Sequence, residues 1–185
     1  MQKNTKNAKI SLFGSLKVMT MSAMLTAMSV VIGIFCKSFL NFGMGLYRVT
    51  FENLPILLSG IMFGPVVGGL VGASTDIISY LLSPQTYPIN LTVTLGATAI
   101  GVVSGALSRY VFKRHTTARV VLSCAAAHIV GSMVIKPIGL FAIYGWAVLM
   151  RVPMYLVIAP IEILLICAMR RNAAVKRLID GRMEV

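Results

Sequence analysis

Acidic residues are nearly missing from this chain: only five Asp and Glu stand among its 185 residues. All charged side chains together make up 12%, whereas a soluble domain carries about 25%. That scarcity excludes an ordinary water-facing surface. Paired cysteines are missing too. Cys36, Cys124 and Cys167 lie far apart and no CxxC occurs, so they read as small buried hydrophobes rather than as a redox pair or metal ligands. The chain has no HExxH, GxSxG or P-loop, and His115 and His128 are its only histidines. An enzyme built here would have to use isolated residues, and ATP is not hydrolysed by the P-loop route. Neither a cofactor nor a metal is expected.

What is abundant is apolar sequence, 57% of the chain. A helix needs about 20 mostly apolar residues to cross the hydrocarbon core of a bilayer. Six stretches are read as spans: 18–35, 49–63 (a short one), 65–82, 91–112, 118–144 and 152–169. The expected fold is therefore all-α, a polytopic membrane protein in which residues 1–185 form one six-helix domain. The first stretch follows Lys3, Lys6, Lys9 and Lys17, in the manner of a signal peptide. It is longer than the usual ~7–15-residue signal core, so it is expected to stay as a span. Gly64-Pro65 predicts a tight turn between spans two and three, because proline disfavours a helical residue before it. Ser83 to Pro88 and Lys37 to Tyr47 read as longer loops.

The net charge is +12, from 17 Lys and Arg. In a soluble protein that excess would point to nucleic acid. Here the basic residues are segregated along the chain, which reads as membrane topology. One side receives Lys3, Lys6, Lys9, Lys17, Arg109, Lys113, Arg114, Arg119, Arg170, Arg171, Lys176, Arg177 and Arg182. Only Lys37, Arg48, Lys136 and Arg151 fall elsewhere. This positive-inside bias predicts both termini in the cytoplasm, an even number of spans and a place in the cell membrane. The basic tail, 170–185, is expected to lie as a short helix on anionic lipid.

Small residues recur every four positions at Gly60, Gly64, Gly68 and Gly72, and again at Ala97, Gly101 and Gly105. Helices approach closely along such stripes, and internal packing is expected for spans three and four. Ala23 and Ala27 in the first span repeat the spacing. They fit an internal seam or a partner subunit equally.

Charges at membrane depth are costly and usually face a cavity, a partner or a ligand. The candidates are Arg48, Glu52, Asp76, Lys136, Arg151 and Glu162. Arg48 and Glu52, read as one helical turn apart, fit either an ion pair or a ligand clamp. Asp76 fits a buried acid bonded to a nearby hydroxyl such as Ser74 or Thr75, or a ligand contact. His128 amid alanines reads more simply as a packing residue than as a ligand, on roughly the face of Lys136. Arg151 fits a headgroup anchor, or with Tyr155 a site for an anion and a flat ring. Phe51, Tyr87 and Tyr155 lie near these charges in sequence. Aromatic faces with cations and carboxylates suit a small ligand with anionic ends and an aromatic body.

The run Tyr47-Arg48-Val49-Thr50-Phe51-Glu52-Asn53-Leu54-Pro55-Ile56, continuing through Gly60, Phe63-Gly64-Pro65, Gly68, Gly72 and Asp76 to Tyr80-Leu81-Leu82, resembles the substrate-binding S component of energy-coupling factor (ECF) transporters. The likeness is greatest to the folate-specific S component. The resemblance implies a six-helix subunit of the bacterial plasma membrane that binds one vitamin from outside. Its partners would be a transmembrane coupling subunit and two cytoplasmic ATPases. It further implies that the AxxxA pattern of the first span, here Ala23 and Ala27, meets the coupling subunit. The occupied subunit would topple in the bilayer to deliver its cargo, and ATP use by its partners would reset it. For folate, Glu52 or Asp76 would pair with the pterin edge, and Arg151 and Lys136 would take the glutamate tail. Phe51, Leu91 and Tyr155 would sandwich the rings, with Arg48, Tyr87 and His128 completing the site. The competing readings are an S component for another vitamin, a small membrane enzyme acting on a lipid-like substrate, and a purely structural subunit.

Overall fold

The computed structural model describes residues 16–42, 47–82, 90–111, 117–172 and 175–176; for 41, 42, 47, 48, 142–144 and 150 it describes the backbone alone. Tyr87, the loop through Pro88, Lys113 to His115 and the tail from Arg177 lie outside the described residues.

Helix α1 runs Leu16–Phe39, past the predicted end at Phe35. The next segment is not a plain loop. Strands β1, Asn41–Phe42, and β2, Tyr47–Arg48, pair antiparallel, with Asn41 opposite Arg48 and Phe42 opposite Tyr47. The Val49 N–H extends the ladder to the Leu40 carbonyl. This small ladder is the one departure from an all-helical chain among the described residues.

Helix α2 is Asn53–Phe63, so the predicted helical start at Val49 is four residues too early. Two β-branched residues, Val49 and Thr50, follow a paired strand and stay extended. Pro55 then falls in the first turn, where its missing N–H removes no helical bond. Arg48 and Glu52 are consequently not one helical turn apart. Arg48 belongs to β2 and Glu52 caps α2.

Only Gly64 separates α2 from α3, Pro65–Leu82, so the predicted tight turn is present. Gly64 adopts φ +97°, and a Cβ there would meet Arg109 Nη1 at 2.9 Å. Helix α4, Leu91–Ala106, continues through a π-helical turn at Leu107–Val111. Helix α5, Thr117–Ala127, passes through a π-helical segment, His128–Ile135, into α6, Lys136–Tyr144. Pro137 cannot donate to the carbonyl four residues back, and the wide winding just upstream absorbs that loss. The Lys136 N–H bonds accordingly to the Gly131 carbonyl, five residues earlier. A 3₁₀ segment, Gly145–Met150, leads into α7, Arg151–Met169.

Among the described residues five helices are long and apolar enough to cross a membrane: Leu16–Phe39, Pro65–Leu82, Leu91–Val111, Thr117–Phe141 and Gly145–Met169. The 11-residue α2 is shorter, about 16 Å at 1.5 Å per residue. It is also the most enclosed, with every residue except Met62 buried. The long helices instead leave Met24, Phe35, Leu81, Ile138, Leu156 and Leu164 exposed. The interior holds Ser29, Asn53, Ser79, Ser104, Ser123, Ser132 and several charged groups. Apolar outside and polar inside is the arrangement a bilayer selects.

The glycine stripes pack internally, as expected. A Cβ on Gly101 would stand 2.0 Å from the Gly68 carbonyl oxygen, and one on Gly72 2.3 Å from that of Ala97. Helices α3 and α4 thus touch backbone to backbone. Gly96 and Gly131 do the same for α4 and the π segment. Arg119, counted with the basic side, is buried near the start of α5, and its Nε donates to Ser108 Oγ at 2.8 Å.

Candidate functional site: a buried polar cluster where α1, α2, α3 and α6 meet

Glu52 and Asn53 open α2, and three other elements close on them. From α1, Ser29 Oγ donates to the Glu52 carbonyl at 2.5 Å. One turn further, Gly33 presents bare backbone. A Cβ there would lie 2.7 Å from Glu52 Oε2 and 3.3 Å from Ser79 Oγ of α3. From the start of α6, Lys136 Nζ donates to Asn53 Oδ1 at 3.1 Å and stands 3.8 Å from Glu52 Oε1. The Lys136 stem rides over Gly96, whose Cβ would meet Lys136 Cγ at 2.6 Å. Each small residue therefore makes room for a charged one.

Lys136 is 4% exposed and Asn53 is fully buried. A buried ammonium is tolerated only when paired and hydrogen-bonded. The cluster meets that condition on the Lys136 side. Several other buried polar atoms have no hydrogen-bond partner among the described residues: Asn53 Nδ2, Thr50 Oγ1, Thr75 Oγ1 and Ser79 Oγ. Thr75 and Ser79 share one face of α3, a turn apart. Native interiors rarely leave such groups unpaired. Of these, Asn53 and Ser79 belong to the cluster itself, Ser79 through the Gly33 position that it shares with Glu52.

The other predicted site residues are dispersed. Phe51, half-buried, adjoins Glu52. Asp76, also half-buried, accepts from Thr94 Oγ1 at 2.7 Å on the α3–α4 seam. Its hydroxyl partner comes from α4, not from the adjacent Ser74 or Thr75. Tyr155 is buried one turn into α7, below half-buried Arg151. Strand β2 contacts α7, which brings the Arg48 backbone beside that helix. Leu91 is 71% exposed at the start of α4 and does not face the cluster.

His128 is placed against Glu162 of α7, with Nε2 2.8 Å from Oε2, both groups essentially without exposure. The ring N–H and the carboxylate lack the alignment of a full hydrogen bond. Nδ1 lies 3.4 Å from Ser132 Oγ. Glu162 is legible in the sequence as a membrane-depth charge, but its partner lies 34 residues away on another helix. Asn53 is not singled out by the sequence, where its one signal is an amide at the start of an apolar helix.

Ala23 and Ala27 are both exposed. They line a groove of about 730 Å³ between α1 and α3, floored by Val30, Val67 and Val71. They take no part in internal packing of the kind that Gly68 and Gly101 make.

Comparison with known proteins agrees with this architecture. The chain is 27% identical over 125 residues to "Folate transporter FolT" of Clostridium novyi (strain NT), covering 66% of this chain and 69% of that protein. It is 34% identical over 61 residues to "Uncharacterized protein MG098 homolog" of Mycoplasma pneumoniae, covering 33% of this chain and 12% of that much longer protein. Among solved structures it shares its fold with that titled "Crystal structure of FolT bound with folic acid". The TM-score is 0.63 at 24% identity, over 91% of this chain and 95% of the other. Residues 17–179 match the family described as "ECF transporter, substrate-specific component", a family of transporter components and not of enzymes, and the chain belongs to it.

Proposed function

We propose that this chain is the folate-binding component of an ATP-driven vitamin importer in the cell membrane. It crosses the bilayer with six helices, α2 being the short one, and holds both termini in the cytoplasm. The observation that carries the binding role is the Glu52–Asn53–Lys136 cluster, with unpaired polar atoms of Thr50, Thr75 and Ser79 around it. A pterin edge presents adjacent donors and acceptors. A carboxylate and an amide side by side are complementary to it. Lys136 is engaged with Asn53 and Glu52 and so belongs to the ring end of the site. Arg151, with Arg48 of the neighbouring strand, is then the natural holder of the glutamate tail. Phe51 and Tyr155 supply ring faces. The named relatives support folate over other vitamins.

Release into the cell requires partners: a transmembrane coupling subunit and two ATPases, since the chain has no P-loop of its own. The exposed Ala23–Ala27 face of α1 is the proposed contact with the coupling subunit. The bias of Lys and Arg toward the termini and the 109–119 region supports cytoplasmic ends.

The test is thermal stabilisation of the purified chain across a panel of vitamins. Folate is expected to raise the melting temperature at stoichiometric concentration. A shift with another vitamin and none with folates would overturn the folate assignment and leave the binding role standing.

A further inference from the structure

The vitamin site leaves unused a second cleft, of about 870 Å³, where α5 begins and α7 ends. Leu164 and Ala168 of α7 form its apolar wall. Thr117, Arg170, Arg171 and Lys176 form its polar wall. No Asp or Glu is among its described lining residues.

The polar wall is built by defined contacts. The Arg170 N–H continues α7 to the Ile166 carbonyl at 3.0 Å. Arg171 and Asn172 then bond three residues back, to Ala168 and Met169, and close the helix. The chain does not simply leave the bundle at this point. Val175 packs against the hydrophobic core, and the Lys176 N–H bonds to the Asn172 carbonyl at 2.9 Å. Lys176 is thereby held at the same cleft as Thr117 of α5. Arg170 Nη1 spans the two helices, donating to Thr117 Oγ1 at 3.0 Å.

Cations near a helix C-terminus offset the partial negative charge of its last carbonyls. That accounts for one or two basic residues after Met169. It accounts neither for the hydroxyl from a different helix nor for the apolar wall beneath. The cleft gathers three cationic side chains beside one hydroxyl, a set complementary to an anion with several oxygens. Arginine forks match phosphate oxygens. The apolar wall is the last turn of a span exposed to lipid, with Leu164 68% exposed. The geometry points to a site for one membrane phospholipid of net negative headgroup. Its phosphate lies among Arg170, Arg171 and Lys176, and its acyl chains run along Leu164 and Ala168.

The full-length chain in nanodiscs tests this, with lipid retention counted by native mass spectrometry. The discs are phosphatidylcholine with or without phosphatidylglycerol. One phosphatidylglycerol is expected to be retained preferentially. The double variant Arg171→Gln/Lys176→Gln is expected to lose that preference, by about fivefold for each cation removed near a membrane surface. Lys17→Gln removes an exposed charge from α1, outside this cleft, and is expected to change nothing. Should the double variant fail to fold, Lys176→Gln alone carries the test, because that side chain is exposed. Equal losses from Lys17→Gln and the cleft variants would reduce the effect to diffuse surface charge and overturn the site. Retention at the wild-type level in Lys176→Gln would overturn it as well. Displacement of the lipid by millimolar inorganic phosphate would reassign the cleft to a soluble phosphate and overturn the lipid proposal.

Discussion

Lys136 Nζ donates to Asn53 Oδ1 at 3.1 Å, a contact between residues 83 positions apart in the chain. Each end of it sits at a break in regular winding. Asn53 opens α2 directly after an extended segment, and Lys136 closes the π-helical segment ahead of Pro137. With Glu52 at 3.8 Å the three groups form one coupled unit, in which the loss of one member is felt by the others.

Lys136→Met should therefore leave the buried Asn53 Oδ1 without its donor and take a cation away from Glu52. The expected cost is about 1–3 kcal/mol of stability, the range for a buried acceptor left unsatisfied, with loss of measurable folate binding. Glu52→Gln/Lys136→Met removes both charges and should melt higher than Lys136→Met alone. Thermal melts with and without folate read both effects. A double variant no more stable than the single would show that the two charges are not coupled.

Gly101→Ala places a methyl 2.0 Å from the Gly68 carbonyl oxygen, so α3 and α4 must move apart. A loss of about 1–3 kcal/mol is expected, as for other overpacked interiors. Gly145 has φ +55° but open space where a Cβ would go. Gly145→Ala should lose about 1–3 kcal/mol to the backbone alone, because φ +55° with ψ −141° is close to a region reserved for glycine. Denaturation of the two variants in the same detergent measures both losses.

His128→Leu separates packing from ligand contact. The His128–Glu162 pair is buried on both sides, so the variant leaves Glu162 uncompensated and should melt several degrees lower. Folate affinity, measured by titration at a temperature where the variant is folded, should stay close to wild type. A loss of affinity matching that of Lys136→Met would place His128 in the ligand site.

Ala23→Trp and Ala27→Trp fill an exposed groove without touching the buried cluster. Folate binding by the isolated chain should be unchanged, while uptake by cells co-expressing the coupling subunit and ATPases should fall to background. Normal uptake in both variants would move the partner surface elsewhere.

The long helices and the glycine seams were legible in the sequence because their signals are local. An apolar run of sufficient length is a span, Gly at every fourth position is a close seam, and Gly64-Pro65 is a turn. The site was legible only as an inventory. Glu52 and Lys136 were recognisable as membrane-depth charges, but their meeting depends on how α2 and α6 are wound. The expected helical start at Val49 put Glu52 a turn inside a span beside Arg48. The paired strand and Pro55 instead make it the cap. The partners of His128 and Asp76 were equally hidden, since Glu162 and Thr94 come from other helices at no fixed spacing. The burial of Arg119 was hidden as well, because a count of basic residues does not register Ser108 reaching it from the preceding helix.

Helix α2 is about half the length of a membrane crossing and has almost no surface left for lipid. Such a segment has little to gain from entering a bilayer alone, so its insertion depends on α3, to which it is joined through Gly64. Helix α4 closes over it at Gly60, whose Cβ would stand 2.5 Å from the Gly101 carbonyl oxygen. Glu52 and Asn53 ride at the tip of α2. The polar cluster therefore needs α6 as well as α2: a chain truncated after α3 would carry both residues yet lack Lys136.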